Sequence, residues 1–498
     1  MNPLLQAATL PPLARPTVIG VAILYFAGVA AISVWAARRT RTAGDFFLAG
    51  QGIGLWALAI AAMAATLSGF IFVGGPGLVY TIGMGAVFIV MPATITNSMT
   101  AWVLAKRLRL LGEARGLLTI PDAIGARYRS RLAQGLAAVA MLIAIVGYMA
   151  TNILALGLVI DAIFGIGLAP SIWIGMLVTL AYTASGGILA GIYTDLLQGA
   201  LMAVASALVF IYALQAGGGM TAMSATVLAA DPAFLGPWGK LTPLAALSFF
   251  FVFGLGVLGQ PHVVHKFYML RDPRRLRWYP LLMTLALVVT LLLFFGVGLV
   301  TKTLVVRGEL APLTTPDAAT PTFLLGYTPL LLAALVFSGV AAAIMSTVNS
   351  FMNVGAAALT HDLPVALGFR VRNELRWGRI WTAVIAVVAA AIAQVSGTLV
   401  AFLGIFGWGL FASTLVPALA IGLNWRGATR AGAIASIATG LVTTLGLETL
   451  AYLKWFTFPS GVTATAVALV TSILVFFIVS FAGKPEPLDE DIALVMTS

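Results

Sequence analysis

AAAIMSTVNSFMNV, residues 341–354, lies deep inside an apolar run, yet this neighbourhood sets small or polar residues at 339, 343, 346, 350 and 353. On a helix of 3.6 residues per turn, Gly339, Ala343, Ser346, Ser350 and Asn353 fall on one face, while Ile344, Met345, Val348 and Phe351 point elsewhere. A single Ser or Thr in a membrane helix commonly bonds back to the carbonyl one turn earlier. The adjacent pair Ser346 and Thr347, with the Ala343 carbonyl a turn before, makes a compact set of hard neutral oxygens. Such a set suits a monovalent cation better than calcium, which favours several carboxylates.

The surrounding chain explains why this stripe matters. Of 498 residues, 61% are hydrophobic and 9% charged, a balance foreign to soluble domains. Charges cluster between apolar runs of about 20 residues, roughly the helix length that crosses a hydrocarbon layer. Strand-period alternation is missing, which excludes an outer-membrane barrel. The chain has no cysteine, so disulfides, thiolate metal sites and cysteine nucleophiles are excluded. No other nucleophile constellation stands out, so the expectation is a protein that is not an enzyme.

The apolar runs predict thirteen helices near 17–37, 54–80, 82–105, 132–160, 168–186, 189–215, 242–268, 279–302, 323–360, 378–396, 398–423, 431–453 and 461–482. Residues 1–16 lack a basic leader, and the first run ends in Arg38, Arg39 and Arg41 without a cleavage pattern, so it reads as a retained span. With the loop after it in the cytoplasm, 22 of the 27 Lys and Arg residues fall on that side. The positive-inside rule then sets the N-terminus outside and the C-terminus inside a bacterial cytoplasmic membrane. The net charge of +11 is thus a topology signal rather than a nucleic-acid footprint. The expected partners are the lipid bilayer and a small-molecule substrate, with no nucleic acid and no obligate protein partner. The acidic tail around EPLDED reads as a solvated end.

Two predicted helices are interrupted at comparable places. The second contains MAATLSGFIFVGGPG, with Ser68, Gly69, Gly74, Gly75, Pro76 and Gly77; the seventh contains FGLGVLGQPH, with Gly254, Gly256, Gly259, Gln260 and Pro261. Small residues also serve close helix packing, and proline kinks are ordinary. Their spacing, five spans apart, is the pattern of paired broken helices that surround a midplane transport site. A break frees carbonyls and amides that can replace water around an ion or a carboxylate. Asp195, in GIYTDLLQGALM, sits about two turns into an apolar run and is a functional candidate by default, the plainer reading being an interfacial aspartate. His262, His265 and Lys266 end the seventh run and read as anchors beside the basic loop.

These residues together resemble the sodium:solute symporter family. The resemblance rests on DFFLAGQGIG, SGFIFVGGPGLVYTIG, YTASGGILAGIYTDLLQ, GQPHVVHKFYMLRD and AAAIMSTVNS, in that order, and covers about residues 20–450. It implies an all-α polytopic membrane protein with a five-plus-five inverted repeat of the leucine-transporter type. The first repeat would span about 54–215 and the second about 242–423. One extra helix would precede them and two follow, within one transporter domain, 17–482, flanked by tails at 1–16 and 483–498. The resemblance further implies co-transported sodium, held by the carbonyls of Ala64, Leu67 and Ala343 and the hydroxyls of Ser346 and Thr347, with Asp195 as a second sodium or coupling site. Substrate-side candidates are Thr66, Ser68, Gly69, Phe253, Val257 and Gln260. The proline-symporter branch is nearest through GQPH, but it carries an acid where this chain has Thr66, arginine where it has Gln51, and Trp and Tyr where it has Phe253 and Val257. The third run, GMGAVFIVMPATITNSM, offers few polar groups near its outer half, where a sugar's hydroxyls would leave bonds unmade, so the expected solute is an amino acid or small organic acid whose carboxylate meets half-helix amides. The implied function is sodium-coupled uptake by alternating access; a proton-coupled carrier, an uncoupled facilitator or channel, and a transporter-like sensor stand as alternatives.

Overall fold

The computed structural model describes residues 15–66, 68, 70–396, 400–456, 458 and 461–497. Among them no strand occurs, and one isolated bridge joins Ile53 to Leu270. Ten helices are long and apolar enough to cross a membrane, or eleven when the bent pair Pro243–Gly259 and Pro261–Met269 counts as one span. Every predicted segment has a helical counterpart. The difference from thirteen lies in the second segment, whose first helix covers only Leu55–Thr66, and the fifth, Leu168–Ala184, both short for a membrane crossing.

The breaks fall where glycine and proline foreshadow them. The second segment is helical over Leu55–Thr66, resumes as a wide turn over Phe70–Gly74, and continues as Gly75–Ile82. The seventh runs over Pro243–Gly256, tightens through Val257–Gly259, and restarts at Pro261 with a 41° bend. Proline cannot donate to the previous turn, which ends the helix ahead of it. The fifth and sixth segments run on as Leu168–Gly217, kinked at Gly187 (φ 57°, ψ −150°). That backbone region is essentially closed to residues with a side chain.

Three expectations need correction. The ninth segment does not start at 323: residues Ala319–Tyr327 form a separate helix, and the long one is Leu330–Ala357, continued by Ala358–Asp362 and Leu363–Leu367. Pro329 forces extended backbone on Thr328 and so divides them (φ −124°, ψ 154°). Nor does the polar stripe divide this helix into a buried and an exposed side, because Ile344, Met345, Val348 and Phe351 on its other faces are as buried as Ser346 and Ser350. It is the central post of the bundle, packed against the fourth, sixth and tenth segments and against Leu55–Thr66. Gly339, Ala341, Ala342, Ala343 and Gly355 allow the neighbouring backbones to come close. Third, the acidic tail is not a free solvated end. Glu490–Thr497 is a helix whose Ile492, Val495 and Met496 are buried, while Arg115 binds Asp489 at 2.6 Å and Asp491 at 2.5 Å. Arg129 also pairs with Asp489.

Lipid-facing surface falls to residues such as Leu24, Trp56, Ile478 and Phe481, all well exposed on apolar helices. In hydrocarbon such exposure is favourable, and the backbone stays satisfied within each helix.

Candidate functional site

Both breaks converge on the central helix. Thr347 Oγ1 donates to the Ala65 carbonyl at 3.0 Å and to Ala343 O at 3.2 Å. The ninth segment is therefore fastened to the carbonyl end of Leu55–Thr66, one residue from the expected Ala64, which is buried beside it. Of the other proposed ion ligands, Ser346 is buried and Leu67 lies outside the described residues. Helix termination leaves the last carbonyls of Leu55–Thr66 without helical donors.

Asp195 is fully buried within the helix bundle rather than open to solvent at a helix end. The plainer expectation for Lys266 also fails: it is no loop anchor but lies at 0% exposure, with Nζ 2.9 Å from Asp195 Oδ2 and 3.1 Å from Ser350 Oγ. The restart at Pro261 turns this residue inward, because the tight turn His265–Met269 is buried throughout. Ser346 lies beside the same carboxylate. Ser346 Oγ and Asp195 Oδ1 nonetheless both lack a hydrogen-bond partner, as does Gln198 Oε1 one turn along. Unpartnered buried oxygens are expensive unless something positive or hydrogen-donating meets them. His262 and His265 are buried as well, and His265 Nε2 donates to Leu118 O at 2.8 Å.

A second feature is an apolar cavity lined by Thr66, Phe70, Asn97, Tyr148, Phe253 and Trp408, among others. Phe253 stacks on Phe70 at 5.8 Å and on Trp408 at 5.5 Å, and Tyr148 meets Trp408 edge-on. Of the expected substrate-side residues, Thr66 and Phe253 line this cavity. Thr66 donates its hydroxyl to Ala62 O, which leaves only its lone pairs for a guest. Ser68 reaches the cavity indirectly through Tyr148 OH at 3.2 Å. Gln260 binds the Gly256 and Trp408 carbonyls, and Val257 is buried in packing, so neither lines the cavity. Gly69 lies outside the described residues.

Sequence reasoning missed Asn97 and Trp408. Asn97 is fully buried with both amide atoms unpartnered, and Trp408 Nε1 has no acceptor. Asn97 stood in the third run, of which only the outer half was weighed for polar groups; an amide within an apolar run was the signal. Nothing local distinguishes Trp408 from a packing aromatic.

The two breaks also touch near the basic loops. Ile53 N donates to Met269 O and Arg271 N to Ile53 O, at 3.1 and 2.9 Å, so the entry to the second segment is laced to the exit of the seventh.

Two broken helices, a buried polar centre between them and a central post joining both are the architecture of a secondary transporter. The family model described as sodium:solute symporter family matches residues 46–440, and the chain belongs to that family of transporters. The osmoregulated proline transporter OpuE of Bacillus subtilis (strain 168) is 27% identical over 467 residues, covering 93% of this chain and 94% of the relative. The sodium/pantothenate symporter of Escherichia coli (strain K12) is 28% identical over 439 residues, covering 86% and 90%. Among solved structures, the substrate-bound outward-open state of a sodium-coupled sialic acid symporter shares the fold with a TM-score of 0.79 at 18% identity, over 95% of this chain and 99% of that one.

Proposed function

We propose that this chain is a sodium-coupled symporter that imports a small carboxylate-bearing solute, an amino acid or monocarboxylate, by alternating access. The observation that carries the reading is the hydroxyl pair on the central helix. Thr347 holds the open carbonyl end of the first broken helix, and Ser346 keeps a buried oxygen unpartnered next to it. In this reading a sodium ion is held by the Ser346 and Thr347 hydroxyls and by carbonyls of Ala64, Leu67 and Ala343. Asp195 acts through Lys266: the ammonium already supplies a positive charge to that carboxylate, so one sodium rather than two moves per cycle. Asn97 and Trp408 Nε1 are the donors offered to the solute's carboxylate, with the Phe70, Tyr148 and Phe253 rings around its apolar body.

The proposed topology keeps thirteen spans with the repeats at about 54–215 and 242–423, the basic loops in the cytoplasm, and the membrane a bacterial inner membrane. For a net-neutral solute such as a zwitterionic amino acid, one inward charge across 100 mV yields about 2.3 kcal/mol, roughly a fortyfold concentration of solute before the sodium gradient is added; a monocarboxylate carried with one sodium moves no net charge and draws on the sodium gradient alone. The test is thermal stabilisation of the purified protein by amino acids and monocarboxylates, each in sodium and in potassium. Stabilisation confined to sodium, and lost in Ser346→Ala with Thr347→Ala, is the expected result. Stabilisation indifferent to the cation would overturn the coupling and leave a proton-coupled carrier or a facilitator.

A further inference from the structure

The ends of the third, ninth and tenth segments meet at the basic-loop face in a cluster that the transport reading does not use. Thr119 caps the short helix Ile120–Tyr128 and places Asp122 on its first turn. Opposite it, the wide turn Ala358–Asp362 that continues the central helix brings in His361 and Asp362, and Glu374 opens the tenth segment. One donor atom from each of Asp122, His361 and Asp362 lies within 4.8 Å of the others. His361 Nε2 is 2.9 Å from Asp122 Oδ2, and its Nδ1 is 3.3 Å from Glu374 Oε1.

Charge makes this cluster unusual. Among the described residues no Lys or Arg forms an ion pair with Asp122, Asp362 or Glu374, although Arg and Lys crowd the loops around them. Three carboxylates thus face at most one cationic imidazole. Asp362 is fully buried: its Oδ1 accepts from Thr119 Oγ1, while Oδ2 has no partner. Asp122 is held in place by Gln134 Nε2 at 2.7 Å and the Leu118 amide at 3.0 Å. A buried, unpartnered carboxyl oxygen beside two more carboxyls is relieved either by a proton or by a cation, and the imidazole beside it supplies a second kind of ligand for the latter.

We propose that Asp122, His361 Nε2 and Asp362 bind a divalent first-row transition-metal ion, which displaces the proton between His361 Nε2 and Asp122, while Glu374 accepts from Nδ1 and orients the ring. An imidazole nitrogen with carboxylate oxygens is a donor set for zinc, manganese or iron, whereas magnesium prefers oxygen alone. Thr119 and Gln134 are the outer hydrogen bonds that orient such ligands. The bound ion staples the short helix to the ends of the ninth and tenth segments. The same stretch accepts hydrogen bonds from the seventh segment, from His265 to Leu118 O and from Tyr268 OH to Thr119 O at 2.9 Å. The site therefore sits where the second broken helix rests on the loop.

The test is independent of sodium coupling, since it needs neither sodium nor solute. Full-length protein, freed of its purification tag and stripped with a chelator, is titrated with zinc chloride in potassium buffer by calorimetry, with manganese binding followed by electron paramagnetic resonance. The expected result is one zinc per chain, weakened at least about tenfold in Glu374→Gln and more in His361→Gln, in samples that remain monodisperse. Glu374 is partly exposed, so its variant remains informative if the buried position does not tolerate change. Absence of saturable zinc binding, binding unchanged in both variants, or displacement by equimolar magnesium would overturn the proposal.

Discussion

Replacing Lys266 with methionine should unfold the protein far more readily, and replacing Asp195 with asparagine in the same chain should restore most of the loss. Nζ and Oδ2 are 2.9 Å apart, and both side chains are essentially shut off from solvent. At that separation and an effective dielectric constant of about 20, the gross attraction is about 6 kcal/mol. The net worth of the pair is far smaller, since both charges had to leave water. Removing one partner, however, leaves a bare carboxylate in the interior and costs about 3–5 kcal/mol. Ser350 cannot compensate, because its hydroxyl is a weak substitute for an ammonium. The double variant removes both charges and should fall within about 1–2 kcal/mol of the parent. The assay is thermal or denaturant unfolding of parent, two single variants and double variant in one detergent, closed as a thermodynamic cycle. A Lys266→Met protein as stable as the parent, or a double variant no more stable than the single, would refute a desolvated ion pair at this position.

The remaining expectations are narrower. Trp408→Phe should raise the half-saturating solute concentration roughly tenfold to a hundredfold with little change in thermal stability, as expected for one donor lost to a charged acceptor; an unchanged uptake curve would remove Nε1 from the solute site. Gly187→Ala should cost about 1–3 kcal/mol of stability, because its backbone region excludes a Cβ that would stand 2.7 Å from the Phe46 carbonyl oxygen; unfolding at the parent temperature would count against the kink. The Arg115 hydrogen bond holds the Asp491 carboxyl below its ordinary range, so its docking contribution is present above the unfolded value of about 4 and lost as pH falls through the lower folded value. A fluorophore on the C-terminal helix should accordingly gain mobility in strong acid and in Arg115→Gln, and mobility independent of both would show that the apolar side chains hold the helix alone.

How much of this could be read from the chain depends on how far the physical cause lies along it. Helix positions follow from local apolar runs, and the breaks follow from Gly254, Gly256 and Pro261 or from Gly74, Gly75 and Pro76, whose effect is confined to a turn. Even there the edges moved, because Pro329 acts on its predecessor and divided what the hydropathy joined. The Ser346 and Thr347 pair was legible because adjacent hydroxyls in an apolar run are conspicuous. Lys266 was misread for the opposite reason: next to Arg271 and Arg274 it looks like one more loop cation. Its partner Asp195 is 71 residues away, and only the inward turn after Pro261 brings them together. The cluster of Asp122, His361 and Asp362 joins residues 239 positions apart, with no signature at either end. The docked C-terminal helix was hidden in the same way, since an acidic tail looks solvated until Arg115 and Arg129 stand opposite it.

The non-local contacts share one partner, and this has a mechanical consequence. The central helix holds the first broken segment through Thr347 and Ala65, and the second through Ser350 and Lys266. Asp195 fastens the sixth segment to the same lysine. A cation settling at Ser346 would lie between the first two fastenings and beside the third. Its charge would strengthen the pull on the carbonyl end of Leu55–Thr66 and would repel the Lys266 ammonium across the Asp195 carboxylate. In this reading, binding there would act on both breaks at once, through side chains one turn apart on a helix that is buried along most of its length. In the proposed cycle a broken pair linked in this way would open and close together, which is the requirement for coupling an ion to a solute without leaking either.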